Sequence, residues 1–276
     1  MTMSRLFLLL LLFCLPVFAE PLALTLQQRD AKTGDVTTED VSWDPAKTAV
    51  VICDMWDEHW CKGATRRVAD MAPHMNRVVS KLRDQGALII HAPSGTLDFY
   101  RDHPARKSAM NALKIETLRP LSRWCSLDVD REQNLPIDDS DGGCDCEPPC
   151  KTRNAWSRQI AVIEIKDSDA ITDSAEAFYL MKERGVTHVI VMGVHTNMCV
   201  LGRPFSIRQM VYQGQQVVLM RDMTDSMYNS RKSPFVPHHR GTELVVEHIE
   251  KYWAPTITSA QILGGAPFRF RDDNRK

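Results

Sequence analysis

Covalent catalysis by a side chain needs a nucleophile, a group to take its proton and a charge to steady the intermediate. Asp54, Lys166 and Cys199 fall where such a set could form. Cys199 closes the turn Gly193-Val194-His195-Thr196-Asn197-Met198-Cys199, which runs straight into a helical pattern. A thiol at a helix N-terminus meets the positive end of the macrodipole, which favours thiolate. An aspartate within reach could take the thiol proton, and a lysine beside it could hold that aspartate and stabilise developing negative charge. Backbone N–H groups of the turn could form an oxyanion hole. Each residue also has a plain reading: a buried cysteine as a small hydrophobe, a strand-end aspartate as a helix cap, a strand-end lysine as a solvated charge.

A parallel sheet would gather these groups at one edge. Residues 48–55 (TAVVICDM) form a nearly continuous apolar run, the pattern of a strand buried on both faces. Residues 65–85 are helical in period, with Pro73 separating two helices, and Gly86 stops them ahead of a second strand at 87–92 (ALIIHA). A strand at 161–166, a helix at 173–184 and a strand at 187–192 follow. A helix at 197–213, kinked at Pro204, leads to a strand at 216–221, a helix at 241–253 and an edge strand at 257–263. This alternation predicts a three-layer α/β/α domain on a mainly parallel sheet. Sites in such sheets form at the carboxyl ends of the strands. Asp54 ends the first strand, Lys166 the third, and Cys199 follows the fourth.

Residues 1–19 carry Arg5, an apolar run at 6–15 and Val17-Phe18-Ala19, the pattern of a secretory signal. The run is about half the ~20 residues that span a bilayer. A secreted or periplasmic protein beginning at Glu20 is the expectation. Residues 20–46 read as an N-terminal hairpin extension around Thr33-Gly34-Asp35, and 47–276 as the main domain, with a Cys-, Gly- and Pro-rich insertion at 119–154. The 34 Lys and Arg balance 35 Asp and Glu, so neither nucleic acid nor an anionic membrane is a natural partner. A hydrophobic fraction of 43% with six Trp excludes a disordered chain. Of eight cysteines, Cys14 lies in the leader; the other seven are Cys53, Cys61, Cys125, Cys144, Cys146, Cys150 and Cys199. An odd number in an oxidising compartment suggests one thiol without an internal partner.

Three motifs in order resemble the isochorismatase-like cysteine hydrolases, the family of nicotinamidase and N-carbamoylsarcosine amidohydrolase. AVVICDMWDEHW (49–60) is similar to the family's first strand ending in its catalytic Asp. Lys166-Asp-Ser-Asp-Ala-Ile-Thr-Asp-Ser-Ala-Glu-Ala-Phe178 resembles the segment opening on its catalytic Lys, and VIVMGVHTNMCV (189–200) resembles its nucleophile turn. The resemblance covers roughly 47–263, leaving out the insertion. It implies catalytic Asp54, Lys166 and Cys199, a cis peptide at Val194–His195, and an oxyanion hole from the His195 and Cys199 N–H groups. It also implies that no organic cofactor is needed. Nicotinamidases carry Asp-x-His and a second His for a metal after the second strand. Here that stretch reads HAPSGTLDFYRDH (91–103), so nicotinamidase itself is disfavoured, and His59, His91, Asp98 and His103 are what remain for a metal. Cys199 favours amide or ureide hydrolysis over the vinyl-ether branch, which does not use the thiol.

Trp56, His59 and Trp60 follow Asp54 where that family lines its pocket, and Asn197 and Met198 face it from the turn. Aromatic and imidazole walls suit a small planar amide, although both Trp could simply pack on the first helix. Arg203, one turn beyond Cys199, could reach a carboxylate or pair at the surface. The insertion cysteines could form disulfides, with Cys125 a more plausible partner for Cys144 or Cys146 than they are for each other, or a zinc cluster; a Cys53–Cys61 bridge is a further option. Asp138-Asp139-Ser140-Asp141-Gly142 lacks the run of a calcium loop and reads as a turn. His238-His239 and His248 stay unassigned. The alternatives to a small-molecule hydrolase, with homo-oligomer formation open, are a non-catalytic secreted binding protein on the same fold and a hydrolase of a non-amide substrate. A dinucleotide oxidoreductase lacks its Gly-x-Gly-x-x-Gly turn.

Overall fold

A computed structural model describes residues 20–275, so the leader at 1–19 lies outside the described residues. The chain opens with a hairpin of β1 (Leu22–Arg29) and β2 (Val36–Trp43), in which Leu22 faces Trp43 and Arg29 faces Val36. Asp30 closes the turn by accepting the Lys32 and Thr33 N–H groups, and Gly34 sits at φ 77. Next come β3 (Thr48–Cys53), α1 (Lys62–Asp84), β4 (Leu88–Ala92), α2 (Pro104–Met110) and β5 (Ala170–Ile171). The second half holds α3 (Glu176–Glu183), β6 (His188–Val194), α4 (Cys199–Gly202), α5 (Ile207–Tyr212), β7 (Gln216–Asp225), α6 (His238–Tyr252), β8 (Thr256–Ile257) and α7 (Ala260–Leu263).

The strands form one eight-stranded sheet in the order β2-β1-β8-β7-β6-β3-β4-β5. It is parallel from β8 to β5 and antiparallel where β1 meets β8 and β2. The hairpin is therefore the continuation of the sheet at one edge. Strand β3, wholly buried, splits its side chains between two cores. Val50 and Ile52 join Val68, Met71, Met75 and Leu82 of α1, while Val51 and Cys53 join residues of α3, α5 and α6. This is the three-layer arrangement that continuous apolar strands require.

Several boundaries differ from the sequence expectation. Helix α1 runs unbroken through Pro73, because Pro73 faces solvent while the apolar face from Val68 to Leu82 stays on the sheet. The strand expected at 161–166 is absent; the sheet instead takes Ala170–Ile171 as edge strand β5. The helix expected at 197–213 splits into α4 and α5 around Arg203-Pro204. The expected edge strand at 257–263 is a short interior strand, β8, followed by α7. Among the described residues no helix is long and apolar enough to cross a membrane.

The insertion has no regular helix or strand. It is held by polar contacts to the sheet's carboxyl edge: Asp139 accepts from Asn197, Asp141 from Asn229 and Asp145 from Arg67. Gly143 passes so close to β7's exit that a Cβ there would lie 2.3 Å from the Met227 carbonyl oxygen. These contacts seat the insertion against the carboxyl edge of the sheet, where β6 and β7 end.

Candidate active site

Two strand ends and one turn build the site. Asp54 follows β3 in the left-handed region at φ 48, a conformation costing on the order of 1–3 kcal/mol for a residue with a Cβ. Three bonds hold it there. Its N–H donates to Ala92 O at 3.0 Å, its carbonyl accepts from Trp56 N–H at 2.8 Å, and its Oδ1 accepts from Ser94 N–H at 2.7 Å. The carboxylate is wholly buried at the end of the sheet.

Cys199 arrives from the next strand over. Gly193 in β6 adopts φ 107, and a Cβ there would lie 2.1 Å from Cys53 O, so only glycine lets β6 close on β3 at this level. Gly193→Ala is expected to destabilise the fold by roughly 2 kcal/mol or more, since strain at positive φ and overpacking add; an unchanged denaturation midpoint would contradict that close approach. The Val194–His195 peptide is cis, as the family resemblance implied. Beyond it, Thr196 N–H donates to Asp225 O, and Met198 and Val200 N–H donate to His195 O. The N–H groups of His195, Asn197 and Cys199 find no backbone acceptor among the described residues.

The cation beside Asp54 is Arg203. Its Nε lies 3.8 Å from Asp54 Oδ2, an ion pair too long to be a hydrogen bond, and both atoms are buried without a hydrogen-bond partner. Lys166 sits elsewhere: its side chain is 54% exposed and its Nζ pairs with Glu164 at 2.7 Å. The reason is the missing strand. With β5 at Ala170–Ile171, the residue leaving that strand's carboxyl end is Thr172, buried and bonded to Glu176, while Lys166 lies in the preceding coil. Arg203 reaches the site because Arg203-Pro204 breaks the helix after one turn, and Trp124 of the insertion lies 5.7 Å from its guanidinium.

Burial dominates the electrostatics. It raises the Asp54 carboxyl above its ordinary range, against the pull of Arg203 and Cys199. Burial, then the charge of Asp54, push the Cys199 thiol well up, while Arg203 draws it down. The expected thiolate-favouring helix end is too short to compete, since α4 has four residues. Both shifts favour the protonated forms, so Cys199 rests as a thiol beside a buried carboxyl whose ionisation depends on Arg203.

The predicted pocket residues divide. His59 and His195 approach edge to face at 4.9 Å between ring centroids, and burial holds them neutral, His59 at about 4 and His195 at about 3. Trp56 is buried, donates Nε1–H to Ser94 O at 3.1 Å and stacks at 4.5 Å on Trp156, an aromatic that the sequence reading did not single out. Trp60 leans on His59 at 5.2 Å, and Met198 packs half-buried against both the main core and the insertion. Asn197 has no amide group to spare: Oδ1 accepts from Met227 N–H, and Nδ2–H donates to Met227 O and Asp139. These bonds tie the turn to Met227 and to Asp139 of the insertion.

The residues that remained for a metal are scattered. His91 uses one ring nitrogen on Gln159 and the other on Asp169, His103 caps α2, and Asp98 is solvent-exposed beside Arg101. The expected disulfides are absent too. All seven described cysteines are free, Cys53 is buried beside Cys199 and Asp54, and Cys125 lies against Gly202 on the other side of the turn. His238 and His248 are partners of buried carboxylates, Asp225 and Glu132, each at 2.8 Å.

No protein-family profile and no curated protein matches this sequence. Among solved structures, the chain is similar to a cysteine hydrolase from Pseudomonas syringae pv. phaseolicola, at 16% identity and TM-score 0.49 over 79% of this chain and 92% of that one. It is similar to an isochorismatase from Pseudomonas putida at 12% identity and TM-score 0.48, over 79% and 91% of the two chains. An N-carbamoylsarcosine amidase from Thermoplasma acidophilum matches at 12% identity and TM-score 0.41, over 77% and 96%. At such distances the chemistry of this chain has to be read from its own side chains.

Proposed function

We propose that this protein is an exported cysteine hydrolase of a small amide or ureide, with Cys199 as nucleophile, Asp54 as proton acceptor and Arg203 as the charge that holds Asp54 ionised. One observation carries the reading. Asp54 Oδ2 and Arg203 Nε, 3.8 Å apart, are buried without a hydrogen-bond partner, as are Ser94 Oγ, whose own N–H holds Asp54, and His195 Nε2 in the turn that leads to Cys199. Buried polar atoms are nearly always satisfied, so such a group of orphans marks a place where a polar ligand completes the bonding.

The reaction follows from those atoms. Asp54 takes the proton from Cys199 Sγ, and Sγ adds to the substrate carbonyl carbon. The carbonyl electron pair moves onto oxygen, which the free N–H groups of His195 and Cys199 receive. The tetrahedral species collapses, the C–N bond breaks, and Asp54 returns the proton to the departing amine. Water then attacks the thioester, losing its proton to Asp54, and the acid leaves as Sγ recovers its proton. The neutral rings of His59 and His195, with Trp56 behind them, suit a small planar uncharged group. The sequence at 1–19 supports export.

Ammonia release from nicotinamide, N-carbamoyl amino acids and biuret-like compounds, with Cys199→Ala as blank, tests this function. Release by wild type alone supports it. Silence across the panel with Cys199 unreactive toward alkylation favours the binding-protein alternative. Lys166→Ala is expected to change kcat/KM by no more than about twofold, as for a surface charge; a loss of several hundredfold would return Lys166 to the catalytic set.

A further inference from the structure

The insertion brings Cys144 and Cys146 to Cys61, which caps the N-terminus of α1, and one sulfur from each of the three lies within 4.8 Å of the others. We infer that these three thiols form a binding site for one zinc ion, tying the insertion to the wall of the active site, with Cys150 packed on the rim of the same sulfur core.

The spacing favours a metal over a disulfide. Cys61 Sγ and Cys146 Sγ are 3.9 Å apart. A disulfide needs about 2.05 Å, whereas two sulfurs on a tetrahedral zinc at ~2.3 Å stand about 3.8 Å apart. Gly63 N–H donates to Cys146 Sγ at 3.3 Å, the kind of bond that steadies a metal-bound sulfur. Gly63 is also the residue that admits the insertion, because a Cβ there would lie 2.3 Å from Asp145 Oδ1. The Cys144–Cys146 backbone is pinned from the other side by Asp145, whose carboxylate takes Arg67 at 2.7 Å. The sulfurs share a small buried core with Ala64 and Met227, and Cys150 packs on it from the groove formed by Trp60, Lys62 and Asp145. An all-sulfur set selects a thiophilic ion over calcium or magnesium.

The site is separate from Cys199 yet adjoins its turn. Met198 packs on the sulfur core, and Asn197 bonds to both backbone groups of Met227 within it. On loading, the bound thiols release their protons to solvent and no electrons are exchanged.

The full chain, purified under reducing conditions and supplied with Zn2+, then passed through a desalting column, tests the inference by elemental analysis. One equivalent of zinc is expected in wild type and in Cys125→Ser, with loss of that equivalent in Cys61→Ser and Cys144→Ser. Co2+ in place of Zn2+ should give the sulfur-to-metal charge-transfer band of a thiolate site in wild type, a readout that does not depend on the variants folding. No retained zinc and no such band in reduced wild type would overturn the site. So would a Cys61–Cys144 or Cys61–Cys146 disulfide mapped in natively isolated protein. None of these readouts uses hydrolysis, so the site stands or falls apart from the proposed reaction.

Discussion

Replacing Cys199 with alanine is expected to abolish hydrolysis, by roughly 10⁴-fold or more, while leaving a folded protein. Every bond of the proposed covalent path passes through Sγ, so no other group can carry the same chemistry at reduced rate. The change is mild for the fold. The polar groups facing Sγ are Asp54 and Arg203, which still pair with each other in its absence, and the residue is 9% exposed at the edge of a core already rich in aliphatic side chains. A thermal midpoint close to wild type with loss of ammonia release separates a missing nucleophile from a damaged domain. Retained turnover would remove the mechanism.

Arg203→Met is expected to lower kcat/KM by about 10²-fold and to move the acid limb of its pH profile upward. Burial raises the Asp54 carboxyl and Arg203 is the largest influence opposing it. Without the guanidinium the carboxyl binds its proton to higher pH, so less of the enzyme is in the carboxylate form at neutrality, and activity is lost at a pH where wild type still works. Arg203 acts here through Asp54 and Cys199, as a positioning residue. Arg203→Lys, which keeps the charge, should restore much of the rate and return the limb toward its wild-type place. A rate loss in Arg203→Met with an unmoved limb and no rescue by lysine would mean that Arg203 merely packs.

Most of the fold could be read from the sequence because its strands are simple. TAVVICDM and the run at 187–192 have one period and one solution, burial on both faces, and they carry Asp54 and Cys199 to the same sheet edge. Lys166 lies off the sheet edge for a local reason. Residues 161–166 have the composition of a strand, but the Asp169 carboxylate accepts the Lys166 N–H and ties the coil back, so pairing starts at Ala170. Edge strands of two residues leave almost no periodic signal. Arg203 stands one turn past the nucleophile in the sequence, but its inward course depends on Arg203-Pro204 ending α4 instead of bending a longer helix. The meeting of Cys61 with Cys144 and Cys146 is a contact across more than eighty positions through a segment without secondary structure, and no local pattern encodes it.

The most direct test of the account is rapid-quench intact-mass analysis of the enzyme mixed with a substrate found in the amide panel, followed by peptide mapping. The account predicts a transient mass increase equal to the acyl group, on the peptide bearing Cys199, that forms and decays at rates consistent with turnover. Turnover with no acyl adduct at Cys199, and undiminished in Cys199→Ala, would contradict it.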